Sequence, residues 1–221
     1  MTDARPAALP EALLLDLDGT LVNSEPIHQA AFRQFFAERG WETPDLSLFT
    51  GRRAEDVFAT EAGPWTGADP AALSAAVMAC IRGDVAPDPV PGAEDLVRGA
   101  VESGVRVAIV TSAGPDWVEL SLGVGLDVLH LVDVLVTRDD VEHGKPHPAG
   151  YLLACRRLDA HAGRCVAVED SPAGVSAAIA AGVGHVYGVR TTQPESELVR
   201  AGARDVYPDL TGVVSALGVR G

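Results

Sequence analysis

Seven residues that can take part in chemistry stand where short apolar stretches of the sequence end, or in the loop after one. They are Asp16, Asp18, Thr111, Ser112, Lys145, Glu169 and Asp170. Each stretch has the length of a buried strand. In an open parallel sheet, ligands bind at the carboxyl ends of the strands. The sequence therefore predicts one cleft that gathers four carboxylates, two hydroxyls and an ammonium group.

Such a cleft predicts phosphoryl transfer. Four neighbouring carboxylates repel each other unless a cation is bound, and a set of oxygen ligands suits Mg²⁺. The same cation reduces the repulsion between a carboxylate and an anionic phosphate. Lys145 can pair with the attacking carboxylate and with phosphoryl oxygens. The hydroxyls of Thr111 and Ser112, with backbone N–H groups, can bind the remaining oxygens.

Lys145 is singled out by composition. The chain has 17 basic residues, of which Lys145 is the only lysine. The other basic residues are all arginines, and the one lysine stands between Gly144 and Pro146. A compact, strongly hydrated point charge is what distinguishes lysine from arginine. We expect position 145 to need that property.

The elements that must position these residues alternate along the chain. Apolar stretches typical of strands occupy 12–16, 105–110, 132–136, 165–168 and 185–189. Helical patterns that begin at a proline occupy 91–103, 115–122, 148–158 and 172–181. Alternation of this kind indicates βαβ units. It predicts an α/β fold with a doubly wound, Rossmann-like parallel sheet.

Residues 24–90 interrupt the alternation. Helical patterns cover 24–40 and 71–81, and no strand is evident. We therefore predict an all-helical cap domain at 24–90, inserted after the first strand, and a core domain formed by 1–23 and 91–221. The turn at 23–26 and the proline-rich segment 86–92 are the predicted hinges.

Charge and composition exclude several classes of partner. The net charge of −14 argues against binding to nucleic acid or to an anionic membrane. No apolar stretch reaches transmembrane length, the amino terminus has no apolar targeting segment, and the three cysteines are isolated. We expect a cytoplasmic protein, favour a monomer, and predict a small phosphorylated molecule as its partner.

Four ordered segments resemble the motifs of the haloacid dehalogenase superfamily. They are 16–22 (DLDGTLV), 111–112 (TS), 144–148 (GKPHP) and 168–174 (VEDSPAG). The helical insert resembles the C1 cap of the subgroup that contains β-phosphoglucomutases and sugar-phosphate phosphatases. The resemblance implies that Asp16 is the nucleophile and Asp18 the general acid and base. It also implies Mg²⁺ ligands from Asp16, the Asp18 carbonyl and Asp170, with Glu169 acting directly or through water.

Three cap residues are candidates for contact with the substrate. Arg52 and Arg53 follow Gly51, and a Gly-Arg-Arg loop facing an anion site can bind hydroxyls or phosphate oxygens. Adjacent arginines are otherwise common on solvated faces. His28 stands early in the first cap helix, where the mutases of this subgroup approach their substrate. We predict substrate contacts for all three.

Single residues also separate the reactions of the superfamily. Dehalogenases lack the second aspartate of the first motif, so Asp18 argues against dehalogenation. Phosphonatases use a cap lysine, and 24–90 contains none. We predict a Mg²⁺-dependent phosphatase of a sugar or polyol phosphate that works through an aspartyl phosphate. A phosphomutase of the β-phosphoglucomutase type is the alternative, and a non-catalytic binding protein of the same fold is a third.

Overall fold

The computed structural model describes residues 9–81 and 85–219 and has a parallel sheet of six strands at its centre. The strands are β1 (Ala12–Leu15), β4 (Arg106–Val110), β5 (Val134–Val136), β6 (Val166–Glu169), β7 (His185–Val189) and β8 (Asp205–Tyr207). Their order across the sheet is β5-β4-β1-β6-β7-β8. Because β1 lies between β4 and β6, the three motifs that follow these strands meet at one edge.

Burial on both faces explains why β1 is a run of apolar residues without alternation. All four of its residues are fully buried, as expected for a parallel strand covered by helices on both sides. Leu13 and Leu15 pack into one apolar core, whereas Ala12 and Leu14 pack into the other. The fold predicted from the sequence is confirmed.

Helices cover both faces of this sheet. They are α4 (Ala93–Glu102), α5 (Pro115–Val118), α6 (Ala149–Leu158), α7 (Pro172–Ala180), α8 (Glu195–Ala201) and α9 (Leu210–Leu217). The predicted bounds are within a few residues of these, except that α5 is short and continues as a π-helical turn over Glu119–Gly125. Strand β8 and helices α8 and α9 were not predicted.

The described part of the inserted segment forms three α-helices, which have an aromatic core of their own. They are α1 (Glu25–Glu38), α2 (Ala54–Thr60) and α3 (Pro70–Met78). Phe35, Phe36, Phe49, Phe58 and Trp65 pack together at their centre. Helix α2 was not predicted. The boundaries proposed at 23/24 and 90/91 stay a prediction.

The expectation that 24–90 contains no strand is wrong at one point. Val22–Asn23 (β2) pairs antiparallel with Asp88–Pro89 (β3). The two chain connections between insert and core therefore run side by side. Two residues per strand are too few to produce an apolar alternation, so the pattern was invisible in the sequence. Across the two described ranges, no helix is long and apolar enough to cross a membrane.

Candidate active site

Asp16 lies at the carboxyl end of β1, 6 % exposed, and faces Lys145. The Lys145 ammonium group donates to Oδ1 of Asp16 and to Oε1 of Glu169, the latter at 2.6 Å. Lys145 is itself only 7 % exposed. The single lysine of the chain is thus enclosed between two buried carboxylates at the ends of the central strands β1 and β6. Its predicted contact with phosphate stays a prediction.

Glu169 is fully buried and its carboxylate is held from three sides. In addition to Lys145, the Tyr151 hydroxyl donates to Oε1 at 2.7 Å and the Ser171 hydroxyl donates to Oε2 at 3.2 Å. A Cβ atom on Gly174 would lie 1.9 Å from this carboxylate. Gly174, in the first turn of α7, is therefore the residue that makes room for Glu169.

Asp170 is 1 % exposed and lies beside the turn after β1. Thr192 donates to its Oδ2, and Thr20 donates to Oδ1 at 3.4 Å. Gly19 has φ +83°, and a Cβ there would lie 2.2 Å from Oδ2 of Asp170. Position 19 therefore requires glycine for two reasons: its backbone is left-handed, and Asp170 approaches it closely.

Asp16, Glu169 and Asp170 form a cluster that fits a cation. Each offers an oxygen, and these atoms lie within 4.8 Å of one another. Burial raises the pKa of Asp16 to about 7, against the effect of Lys145 and with a further contribution from Glu169. Burial, Asp16 and Glu169 also raise the pKa of Asp170 well above its usual range. Burial and the neighbouring carboxylates thus together outweigh the effect of the Lys145 ammonium group on Asp16 and Asp170.

The carboxylates of Asp16 and Glu169 also shift the pKa values of Lys145 and Tyr151. Burial opposes the charged form of Lys145, but Asp16 and Glu169 outweigh it and raise the pKa of the ammonium group above its usual range. Burial and Glu169 raise the pKa of the Tyr151 phenol well above its usual range. Lys145 is therefore a permanent cation, and Tyr151 a permanent hydrogen-bond donor, at neutral pH.

Thr111 and Ser112, which were predicted to bind phosphate together with Lys145, directly follow β4, the neighbour of β1 in the sheet. Thr111 is 6 % exposed, and its hydroxyl accepts from the Ala113 N–H at 3.0 Å. Ser112 is half-buried next to it. Asp16, Asp18, Thr111, Ser112 and Asp170 all line one cavity of about 510 Å³ between the sheet edge and the inserted helices.

The cap candidates His28, Arg52 and Arg53 line the same cavity. Their side chains have different partners. The Arg52 guanidinium pairs with Glu61 of its own segment at 2.9 Å. The Arg53 guanidinium donates to the carbonyl oxygens of Arg138, Val141 and Glu142 at 2.8 to 3.2 Å. Arg53 thus connects the insert to the core. Its contact with substrate stays a prediction, as does that of Arg52.

His28 lies where the cap and Asp18 meet. Its Nε2 atom is 4.0 Å from Oδ1 of Asp18, and its ring is 5.1 Å from that of Trp117. Trp117, Tyr151 and Thr192 were not predicted as site residues. A tryptophan or tyrosine in a helix normally signals packing, so only the fold reveals that their polar atoms face Asp18, Glu169 and Asp170.

A family model described as haloacid dehalogenase-like hydrolase matches residues 10–182. Validoxylamine A 7'-phosphate phosphatase of Streptomyces hygroscopicus subsp. limoneus is 37 % identical over 90 % of this chain and 94 % of that protein. Hexitol phosphatase A of Escherichia coli is 33 % identical over 81 % and 82 %. The crystal structure of CbbY from Rhodobacter sphaeroides with xylulose-(1,5)bisphosphate superposes with a TM-score of 0.77, at 26 % identity, over 95 % and 99 %.

The chain belongs to the haloacid dehalogenase-like hydrolase family. The predicted family is therefore confirmed, and so is the prediction of an enzyme that hydrolyses phosphoric monoesters. The acidic cluster is of a kind that can hold a metal. The roles of individual residues stay predictions.

Proposed function

We propose that the protein is a Mg²⁺-dependent phosphatase of a phosphorylated sugar or polyol. The observation that carries the proposal is the buried group of Asp16, Lys145, Glu169 and Asp170. Asp16 and Asp170 of this group line the 510 Å³ cavity. A carboxylate held by a buried lysine, next to two further acids that can hold a cation, is suited to attack the phosphorus of an anionic phosphate.

In the first step, an Asp16 oxygen bonds to phosphorus while the bond from phosphorus to the ester oxygen breaks. Asp18 gives its proton to the departing alkoxide. In the second step, a water oxygen attacks the same phosphorus, Asp18 takes a proton from that water, and the bond to Asp16 breaks. Phosphate leaves, and both carboxyl groups return to their initial states.

The remaining residues hold the transferred group. Thr111 and Ser112 bind phosphoryl oxygens with hydroxyl and backbone N–H groups, and Lys145 neutralises charge on Asp16. Asp16, Glu169 and Asp170 fit Mg²⁺, with the Asp18 carbonyl as a further oxygen ligand. When bound, the ion supplies positive charge that lets a carboxylate approach an anionic phosphate.

The leaving group occupies the part of the cavity under the cap. This part combines apolar residues with polar ones that can bind hydroxyls, namely Glu25, His28, Gln29, Arg52, Ser74 and Asp139. Such a mixture suits a polyhydroxylated ring or chain. The names of the relatives, which include a validoxylamine A 7'-phosphate phosphatase and a hexitol phosphatase, support a phosphorylated small molecule of this class.

The test is a screen of sugar and polyol phosphates with Mg²⁺, measuring both free phosphate and isomerised product. We expect phosphate release from at least one substrate, and none from Asp16→Asn at equal folding by circular dichroism. Isomerised product without phosphate release would identify a mutase instead. A residual kcat of Asp16→Asn above about a tenth of wild type, or roughly 1.4 kcal/mol in the barrier, would contradict the nucleophile.

A further inference from the structure

Trp117 touches the carboxyl group of Asp18. It lies in α5, six residues beyond Thr111, and is only 5 % exposed. Its indole N–H donates to Oδ1 of Asp18 at 2.8 Å, across 99 residues of sequence. A buried indole usually satisfies its N–H with a backbone carbonyl, as Trp65 does with that of Glu61 at 2.9 Å. The partner of Trp117 is instead the carboxylate that the proposed reaction uses.

The same oxygen of Asp18 is approached from the cap. His28 in α1 lies 4.0 Å from Oδ1 through Nε2, and its ring is inclined by 40° to the Trp117 indole at 5.1 Å between centroids. Two rings, one from the core and one from the insert, therefore flank Oδ1.

A carboxyl group turns readily about its terminal torsion, which has only broad preferences. Proton transfer to a leaving oxygen requires that one carboxyl oxygen point at it within hydrogen-bond distance. An indole nitrogen donates and never accepts, so the oxygen that faces Trp117 stays an acceptor. The hydrogen bond thus fixes the torsion of Asp18 and reserves the other oxygen, Oδ2, for the substrate.

We propose that Trp117 is a positioning residue that anchors Asp18 through Oδ1 and keeps Oδ2 directed at the leaving group. The inference rests on the proposed function, in which Asp18 transfers the proton. Trp117 also lines the cavity, but the role proposed here acts through Asp18 and not through a contact with phosphorus. Its effect therefore scales with how much the leaving group needs a proton.

The kinetic test compares Trp117→Phe with wild type on phenyl phosphate and on p-nitrophenyl phosphate. Phenolate is the more basic leaving group and needs the proton more. We expect kcat/KM of Trp117→Phe to fall by about tenfold more on phenyl phosphate than on p-nitrophenyl phosphate. Trp65→Phe is the matched control, because it removes a buried indole N–H away from the cavity. Trp65→Phe should change kcat/KM on both substrates by the same factor.

The outcomes separate the inference from the function on which it rests. Equal losses on both substrates for Trp117→Phe, or no loss, would overturn the positioning role. Asp18→Asn is measured in parallel and should show the same selectivity more strongly. Equal losses for Asp18→Asn would instead remove Asp18 as the acid, whatever Trp117→Phe does.

A second measurement needs neither turnover nor a Trp117 variant. The protein has three tryptophans, whose indole ¹⁵N–¹H signals can be assigned by substitution of Trp41 and Trp65. We expect Asp18→Ala to move the Trp117 signal upfield and speed its exchange with solvent, while the Trp65 signal stays in place. An unmoved Trp117 signal would show that the hydrogen bond is absent in solution and would overturn the inference.

Discussion

Lys145 contacts Asp16 and Glu169 with one ammonium group in a space closed to solvent. Lys145→Met leaves the acidic cluster without its cation, and a buried ion pair broken on one side costs about 3–5 kcal/mol. We expect a clear loss of thermal stability in metal-free buffer and a fall in kcat/KM of at least about a hundredfold. Thermal melting and phosphate release measure the two effects.

Lys145→Arg separates charge from shape. A guanidinium fork is larger than an ammonium group and is poorly matched to a site 7 % exposed between two fixed carboxylates. We expect this variant to lose activity although it keeps the charge. The converse exchange Arg200→Lys, at an exposed pair with Glu197, should have no effect. Full activity of Lys145→Arg would show that position 145 needs only a positive charge.

Sequence reasoning located the acids and the lysine because each follows a strand that the apolar pattern marks. It did not locate Trp117, Tyr151 or Thr192, because their roles depend on which atoms face the cleft. Tyr151 lies on α6 and meets Glu169 of β6 only after both pack on the sheet. A helix pattern predicts the buried face, but it does not predict the partner of one hydroxyl group.

At the scale of elements, the apolar pattern of the sequence predicted the strands of the central sheet up to β7 and the helices beside that sheet up to α7. It did not predict α8, β8 and α9. Strand β8 is three residues long with an exposed first residue, so it has no buried apolar stretch. The sequence predicted that Arg53 lies in a loop of the cap. It did not predict that Arg53 binds carbonyl oxygens of the core segment 138–142. Gly144 explains the contact, because a Cβ there would lie 2.9 Å from Cδ of Arg53. The glycine before Lys145 thus lets the insert approach the core.

The two cap arginines should therefore differ. Arg53 is bonded to carbonyls of the core segment 138–142, so Arg53→Ala should weaken cap closure for every substrate. We expect kcat/KM to fall about tenfold on both the best sugar phosphate and p-nitrophenyl phosphate. Arg52, which is paired with Glu61 inside the insert, is the matched comparison. Arg52→Ala should lower kcat/KM on the sugar phosphate alone.

Steady-state kinetics of the two variants on the two substrates decide between these roles. If Arg53→Ala were selective for the sugar phosphate, Arg53 would contact the leaving group, as its sequence context suggests. If Arg52→Ala matched wild type on all substrates, its ion pair with Glu61 would be only structural. Either result would leave the core residues of the site unaffected.

At the scale of the molecule, a chain of net charge −14 buries three of its acids, Asp16, Glu169 and Asp170, in one cluster. The carboxyl pKa of Asp16 is raised to about 7 and that of Asp170 is raised well above its usual range. The folded protein therefore binds more protons than the unfolded chain above the ordinary carboxyl pKa of 3.8. We therefore expect the contribution of these two groups to the free energy of unfolding to fall as pH rises from about 4 to 7, and further as Asp170 ionises.

Mg²⁺ should reverse this loss, because a cation that binds only the folded carboxylates stabilises the folded state. We expect added Mg²⁺ to raise the melting temperature at about pH 8 and to have little effect at about pH 5, where the raised pKa values of Asp16 and Asp170 keep these two groups protonated. Asp170→Asn should melt higher than wild type at the upper pH without metal, and should lose most of the gain from Mg²⁺. Glu102→Gln, at an exposed position, should keep that gain. An equal response to Mg²⁺ in wild type and Asp170→Asn would place the ion elsewhere.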